Sequence, residues 1–144
     1  MRFFNRVFCV ALIALWSVAA ASAQTPELKF NSDHKFKIVQ FTDVHWIADS
    51  IASDEAGVRM SEVLDAEKPD LVIFTGDVIF GKPADKSMRC ALEPTIKRGI
   101  PFAVTFGNHD DELGMTRKEL YEFIKDMPGN LTSTVEGISG VTNY

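Results

Sequence analysis

Three short apolar runs govern what this chain can fold into. Phe36–Phe41 alternates loosely, Leu71-Val72-Ile73-Phe74 is continuously apolar, and Pro101–Phe106 reads PFAVTF. Continuous runs of this kind suit strands covered on both faces, as in a parallel sheet. Helical patterns separate them. Met60, Val63 and Leu64 lie at i, i+3, i+4 within Glu55–Ala66, and Lys68-Pro69-Asp70 ends that segment. Ala84–Arg98 reads as a second helix, in which Pro94 predicts a kink or an early end and Gly99 a stop. Thr116 and Glu119 have the spacing of a capping box ahead of Leu120, Phe123, Ile124 and Met127, and Pro128-Gly129-Asn130 closes this third helix. Residues 131–144 are polar and approach a possible strand at Val141–Tyr144. The alternation predicts an α/β layer fold with a mainly parallel sheet.

The N-terminus is expected to lie outside that fold. Arg2 and Arg6 precede an apolar run from Val7 to Ala20, and Ala21-Ser22-Ala23 is an A-x-A cleavage pattern. This layout predicts a secretory signal peptide over residues 1–23. The alternative, an uncleaved anchor, needs about 20 apolar residues to span a bilayer. Residues 24–34 then form a polar lead-in, with His34 a solvated histidine. Removing 23 of the 144 residues leaves 121, and the loss of two arginines moves the formal charge from −5 to −7. That acidity argues against a surface that neutralises nucleic-acid phosphates. With 46% apolar residues a globular core is expected. Cys9 leaves with the leader, so Cys90 has no intrachain partner and is expected to pack as a small hydrophobe.

Each apolar run leads into a polar cluster: Thr42-Asp43-Val44-His45, Thr75-Gly76-Asp77 and Gly107-Asn108-His109-Asp110. Ligands of parallel α/β sheets sit outside the carboxyl ends of the strands. Strands in one sheet would therefore bring Asp43, His45, Asp77, Asn108 and His109 to one edge. Carboxylates, imidazole and an amide oxygen suit Zn, Mn or Fe rather than a thiolate-type site. A shared carboxylate can hold two cations about 3.5–4 Å apart, an arrangement used on phosphate esters. Each cluster alone is ordinary turn chemistry. Their order, and the presence of two of the three histidines within them, make the combined signal strong.

The blocks FTDVHW, FTGDVIFG and TFGNHDD resemble those of the calcineurin-like metallophosphoesterases, whose pattern is D-x-H, then G-D, then G-N-H-[DE]. The likeness runs over roughly residues 36–144 and is greatest to the purple-acid-phosphatase-like subgroup. It implies a four-layer α-β-β-α sandwich with a dinuclear site, of which residues 35–144 would be the N-terminal part. It also implies Asp43 and His45 as ligands of the first metal, Asp77 as the bridge and Asn108 as a ligand of the second. His109 would serve the leaving group, and Asp110 would orient His109. Two departures stand out. His45 and Phe80 occupy the positions of a glycine and a tyrosine in true purple enzymes, which implies a colourless site. The family also completes its site with later histidines, including a G-H-x-H block, whereas no histidine follows His109.

The expected function is an exported hydrolase acting on phosphate esters with two divalent cations (Mn, Zn or Fe), present as an incomplete N-terminal portion. The alternative is a non-catalytic half-domain or exported interaction module that binds metal weakly. No membrane contact is expected after leader cleavage. Gly81-Lys82 lacks the Ser or Thr that a phosphate-binding P-loop needs, since Pro83 follows. Asn130-Leu131-Thr132 is an N-glycosylation sequon. Trp46 is placed either to wall a pocket or to pack in the core.

Overall fold

The computed structural model describes residues 26–142, so the predicted signal peptide and the last two residues lie outside it. Six elements follow one another: β1 (Ile38–Phe41), α1 (Ile51–Glu67), β2 (Leu71–Thr75), α2 (Ala84–Ile96), β3 (Phe102–Thr105) and α3 (Arg117–Ile124). The strands form one parallel sheet in the order β1-β2-β3. This is the expected α/β alternation. The second sheet of a sandwich is not among the described elements.

Parallel neighbours need a crossover, and the right-handed rule puts two crossovers that advance in one direction on the same face. Accordingly α1 packs on α2, and α2 on α3. The register aligns Phe41 with Phe74 and Phe74 with Val104. With side chains alternating along each strand, Val39, Phe41, Val72, Phe74, Phe102 and Val104 face the helices and join the core. Against them pack Leu64 of α1, Met88 and Leu92 of α2, and Leu120 and Ile124 of α3, all essentially inaccessible. The opposite face is covered only in part: Leu71 and Ala103 are buried, Ile73 is half-buried, and Ile38 and Gln40 are exposed. Beyond β3, Asn130–Thr132 runs alongside the strand, through the parallel bridge Phe102–Asn130 and the bond from Leu131 N–H to Phe102 O at 2.7 Å. The described part of the expected strand at 141–144 is irregular.

Helix α1 begins at Ile51, four residues before the expected start. The periodicity concealed this because the inward positions of its first half are Ser53 and Gly57, which carry no apolar signal. Gly57 lies under the indole of Trp46, and Ser53 accepts from Ile47 N–H through its Oγ at 2.9 Å. A Cβ on Gly57 would stand 2.7 Å from Trp46 Cη2. Trp46 is 6% exposed and belongs to the core, which decides between its two expected roles. Met60 and Leu64 are buried as expected, but Val63 is 40% exposed. Ser50, the residue before α1, makes no side-chain cap, so no capping signature marked the start either.

Helix α2 ends at Ile96, soon after Pro94, and closes through short turns from Arg98 N–H to Thr95 O and Gly99 N–H to Ile96 O. Arg98 then ties α2 to α1 through two 2.7 Å bonds to the carboxylate of Asp65. Helix α3 carries the complete capping box, with Thr116 and Glu119 bonded reciprocally. Cys90 is half-buried against the core, and burial pushes its thiol above the ordinary range. His34 is exposed.

Replacing a helical glycine with alanine ordinarily gains about 1 kcal/mol of helix propensity. Gly57→Ala should instead destabilise the chain by about 1–3 kcal/mol, the usual cost of overpacking. Chemical denaturation tests this, and a raised midpoint would refute the packing argument.

Candidate metal centre

The aligned strands bring their carboxyl ends to one edge, and backbone pairing continues past them. Asp43 N–H bonds to Gly76 O at 3.1 Å, His45 N–H to Asp77 O at 2.9 Å, and Trp46 N–H to Val78 O at 3.0 Å. The loop after β1 is therefore paired with the loop after β2, and this sets Asp43 and His45 beside Asp77. The three residues take left-handed backbone angles, with φ of 51°, 49° and 49°. Asp and His tolerate that region better than most residues, and such angles cluster where side chains must converge.

Among the described residues, Asp43, His45 and Asp77 form one group whose ligand atoms all lie within 4.8 Å of one another. His45 Nε2 stands 3.6 Å from Asp77 Oδ2. Two carboxylates and one imidazole fit a single borderline divalent cation, with further coordination positions left open. The chain thus gathers part of the expected ligand set. Asn108 lies in the loop after β3 and is exposed.

The third loop is locked to the second. His109 N–H donates to Asp77 Oδ1 at 2.9 Å, which commits one oxygen and leaves Oδ2 on the His45 side. That bond and the neighbouring imidazoles hold the Asp77 carboxyl below its ordinary range. Two glycines permit the contact. Gly76 has φ of 95°, and a Cβ there would lie 3.1 Å from Gly107 Cα. A Cβ on Gly107 would run into Asp77 itself, 2.8 Å from Cγ.

The expected partnership of Asp110 with His109 is corrected. Asp110 is wholly buried, and its carboxylate accepts from Ile79 N–H at 2.9 Å and Gly107 N–H at 2.7 Å. Both oxygens are engaged by backbone groups and point into the protein. Burial raises the Asp110 carboxyl, against the opposing effect of those N–H groups. The partner of the His109 imidazole is Glu112, with Oε2 2.9 Å from Nδ1, and this carboxylate holds the imidazole above its ordinary range. Glu112 was missed because an acid three residues on, in a loop, carries no periodic signal. Arg117 was missed too: its Nε donates to Gly107 O at 2.9 Å, and its guanidinium pairs with Asp111. Phe80 packs its ring against both imidazoles, with centroids 5.4 Å from His45 and 5.3 Å from His109.

Comparison with known proteins agrees with this geometry. The profile of the calcineurin-like phosphoesterases matches residues 36–141. The chain belongs to that family. It is 36% identical to "Probable inactive purple acid phosphatase 29" of Arabidopsis thaliana, over 86% of this chain and 38% of that protein. It is 33% identical to "Probable inactive purple acid phosphatase 14" of the same plant, over 97% of this chain and 42% of the relative. "Phosphatase DCR2" of Saccharomyces cerevisiae is 36% identical, over 81% of this chain and 24% of its own length. The chain thus spans about two fifths of the length of the two plant relatives.

These findings correct the expectation of a working dinuclear phosphoesterase. Two of these relatives carry the description "probable inactive", and among the described residues the acidic and imidazole donors gather as one group of three where a two-metal site calls for more. The physical reason is the donor count: a cation at this edge would meet three such donors among the described residues, fewer than a two-metal clamp on both reacting oxygens calls for.

Gly107→Ala should force Asp77 out of the group. We expect loss of cation uptake in calorimetry with Zn or Mn, together with a lowered melting temperature. Uptake equal to wild type would contradict the contact.

Proposed function

We propose that this chain is a non-catalytic, metal-binding portion of a calcineurin-like phosphoesterase domain. It holds one divalent cation weakly through Asp43, His45 and Asp77 and does not turn over phosphate esters. The observation that carries this reading is the size of the donor group: three ligand atoms within 4.8 Å, with no further acidic, cysteine or imidazole side chain joining them among the described residues. Metal affinity rises with ligand count and with pre-organisation, so three donors on a half-exposed edge support weak binding. A cation there would supply positive charge for phosphoryl oxygens. Phosphate esters, the ligand class of the family, are accordingly the anions the site would attract. His109, held by Glu112, adds a donor beside it.

In the longer protein this portion supplies the first sheet of an α-β-β-α sandwich. The partly uncovered sheet face, with Ile38 and Gln40 exposed and Ile73 half-buried, is the surface on which a second sheet would pack.

Calorimetry on the chain should give uptake of one Zn or Mn ion, abolished in Asp77→Asn. The same metal-loaded chain should release phosphate from an aryl phosphate ester at the buffer rate. Steady turnover that disappears in Asp77→Asn would sink the non-catalytic reading.

The leader supports export to the periplasm or the medium. N-terminal sequencing of exported chain should begin at Gln24, and retention of the unprocessed chain in the cytoplasm would refute this.

A further inference from the structure

We infer that Asp110 is a positioning residue for the metal centre, acting through the backbone of two loops rather than through His109. The inference rests on the metal-binding reading above.

The carboxylate stands between the loop after β2 and the loop after β3. One oxygen takes Ile79 N–H at 2.9 Å, and the other takes Gly107 N–H at 2.7 Å. Ile79 is two residues past Asp77, and Gly107 immediately precedes Asn108. Asp110 thus pins the chain on either side of the point where His109 N–H meets Asp77 Oδ1 at 2.9 Å. The Gly107 peptide is held from both ends, since its carbonyl accepts from Arg117 Nε at 2.9 Å. The carboxylate is fully inaccessible to solvent, as are Val78 and Ile79 beside it. Water therefore cannot readily replace either bond.

What this clamp fixes is the rotation of Asp77. With Oδ1 committed to His109 N–H, the carboxylate plane is set and Oδ2 faces His45. If the third loop moved away, Asp77 would be free to turn, and its φ of 49° would lose the bond that helps hold it there. Metal ligands oriented by surrounding hydrogen bonds typically lose about 10- to 100-fold in affinity when that support is removed.

Asp110→Asn keeps the side chain's shape but turns one of the two acceptors into a donor facing an N–H. Cobalt(II), whose visible spectrum reports ligand arrangement, is the probe, titrated into the whole chain and followed with amide hydrogen exchange by NMR. We expect about 10- to 100-fold weaker cobalt uptake with an altered visible spectrum. Exchange at the His109 amide, which Asp110 does not touch, should be about tenfold faster or more. Faster exchange confined to Ile79 and Gly107, with His109 exchange and cobalt affinity both within twofold of wild type, would overturn the inference. Absence of cobalt uptake by wild type would defeat the metal-binding reading itself, and the His109 exchange rate would still decide whether Asp110 sets the loop. Arg117→Gln is the second variant should Asp110→Asn fail to fold. It releases Gly107 O and the pair with Asp111 but leaves both Asp110 bonds in place, so the same two readouts should move in the same direction by a smaller factor, and no movement in either counts against the clamp.

Discussion

Everything at the functional edge depends on one register. Phe41, Phe74 and Val104 stand side by side near the carboxyl ends of their strands because the parallel pairing admits no slip without turning apolar side chains away from the helices. Once the strand ends are level, the polar residues that follow each strand have no route except toward one another. The pairing then runs on beyond the regular strands, as far as Trp46 opposite Ile79. A loop that continues ladder hydrogen bonds holds its side chains more firmly than a free turn would.

Convergence carries a local cost. Asp43, His45 and Asp77 sit in a backbone region that L-residues seldom occupy. The compensation is visible around them: the amides of Asp43 and His45 are bonded to the neighbouring loop, Asp77 receives His109 N–H, and Asp110 fastens both loops from below. Gly107 makes this possible by having no side chain where the Asp77 carboxylate must lie. The acidic group and the two imidazoles are thereby held close together, an arrangement favourable to a cation and otherwise strained by like charge between carboxylates.

Much of this was readable in advance, and the exceptions share a cause. The three strands, the second and third helices and the capping box at Thr116 follow from local pattern. The start of α1 did not, because its inward positions carry Gly57, which makes room for a tryptophan of the preceding loop, and Ser53, which binds the Ile47 amide of that loop. Asp43, His45 and Asp77 were legible as a set because each follows a strand. The exchange of partners between Asp110 and Glu112 was not legible, because it depends on which carboxylate the folded loop turns inward. Activity was the larger misreading: the motifs match a phosphoesterase, yet the two plant relatives are described as "probable inactive" and three acidic and imidazole donors gather among the described residues.

Sequence alone determined the layer class, the order of elements and the residue types available to a cation. Those follow from periodicity and from side-chain chemistry, which act over a few residues. Tertiary structure decided which donors meet, which acid is buried and which imidazole has a partner. These depend on backbone angles and on contacts between loops some thirty residues apart in the chain, such as Asp110 with Ile79 and His109 with Asp77. No local pattern encodes a distance of that kind, because it exists only after three strands have been laid in register.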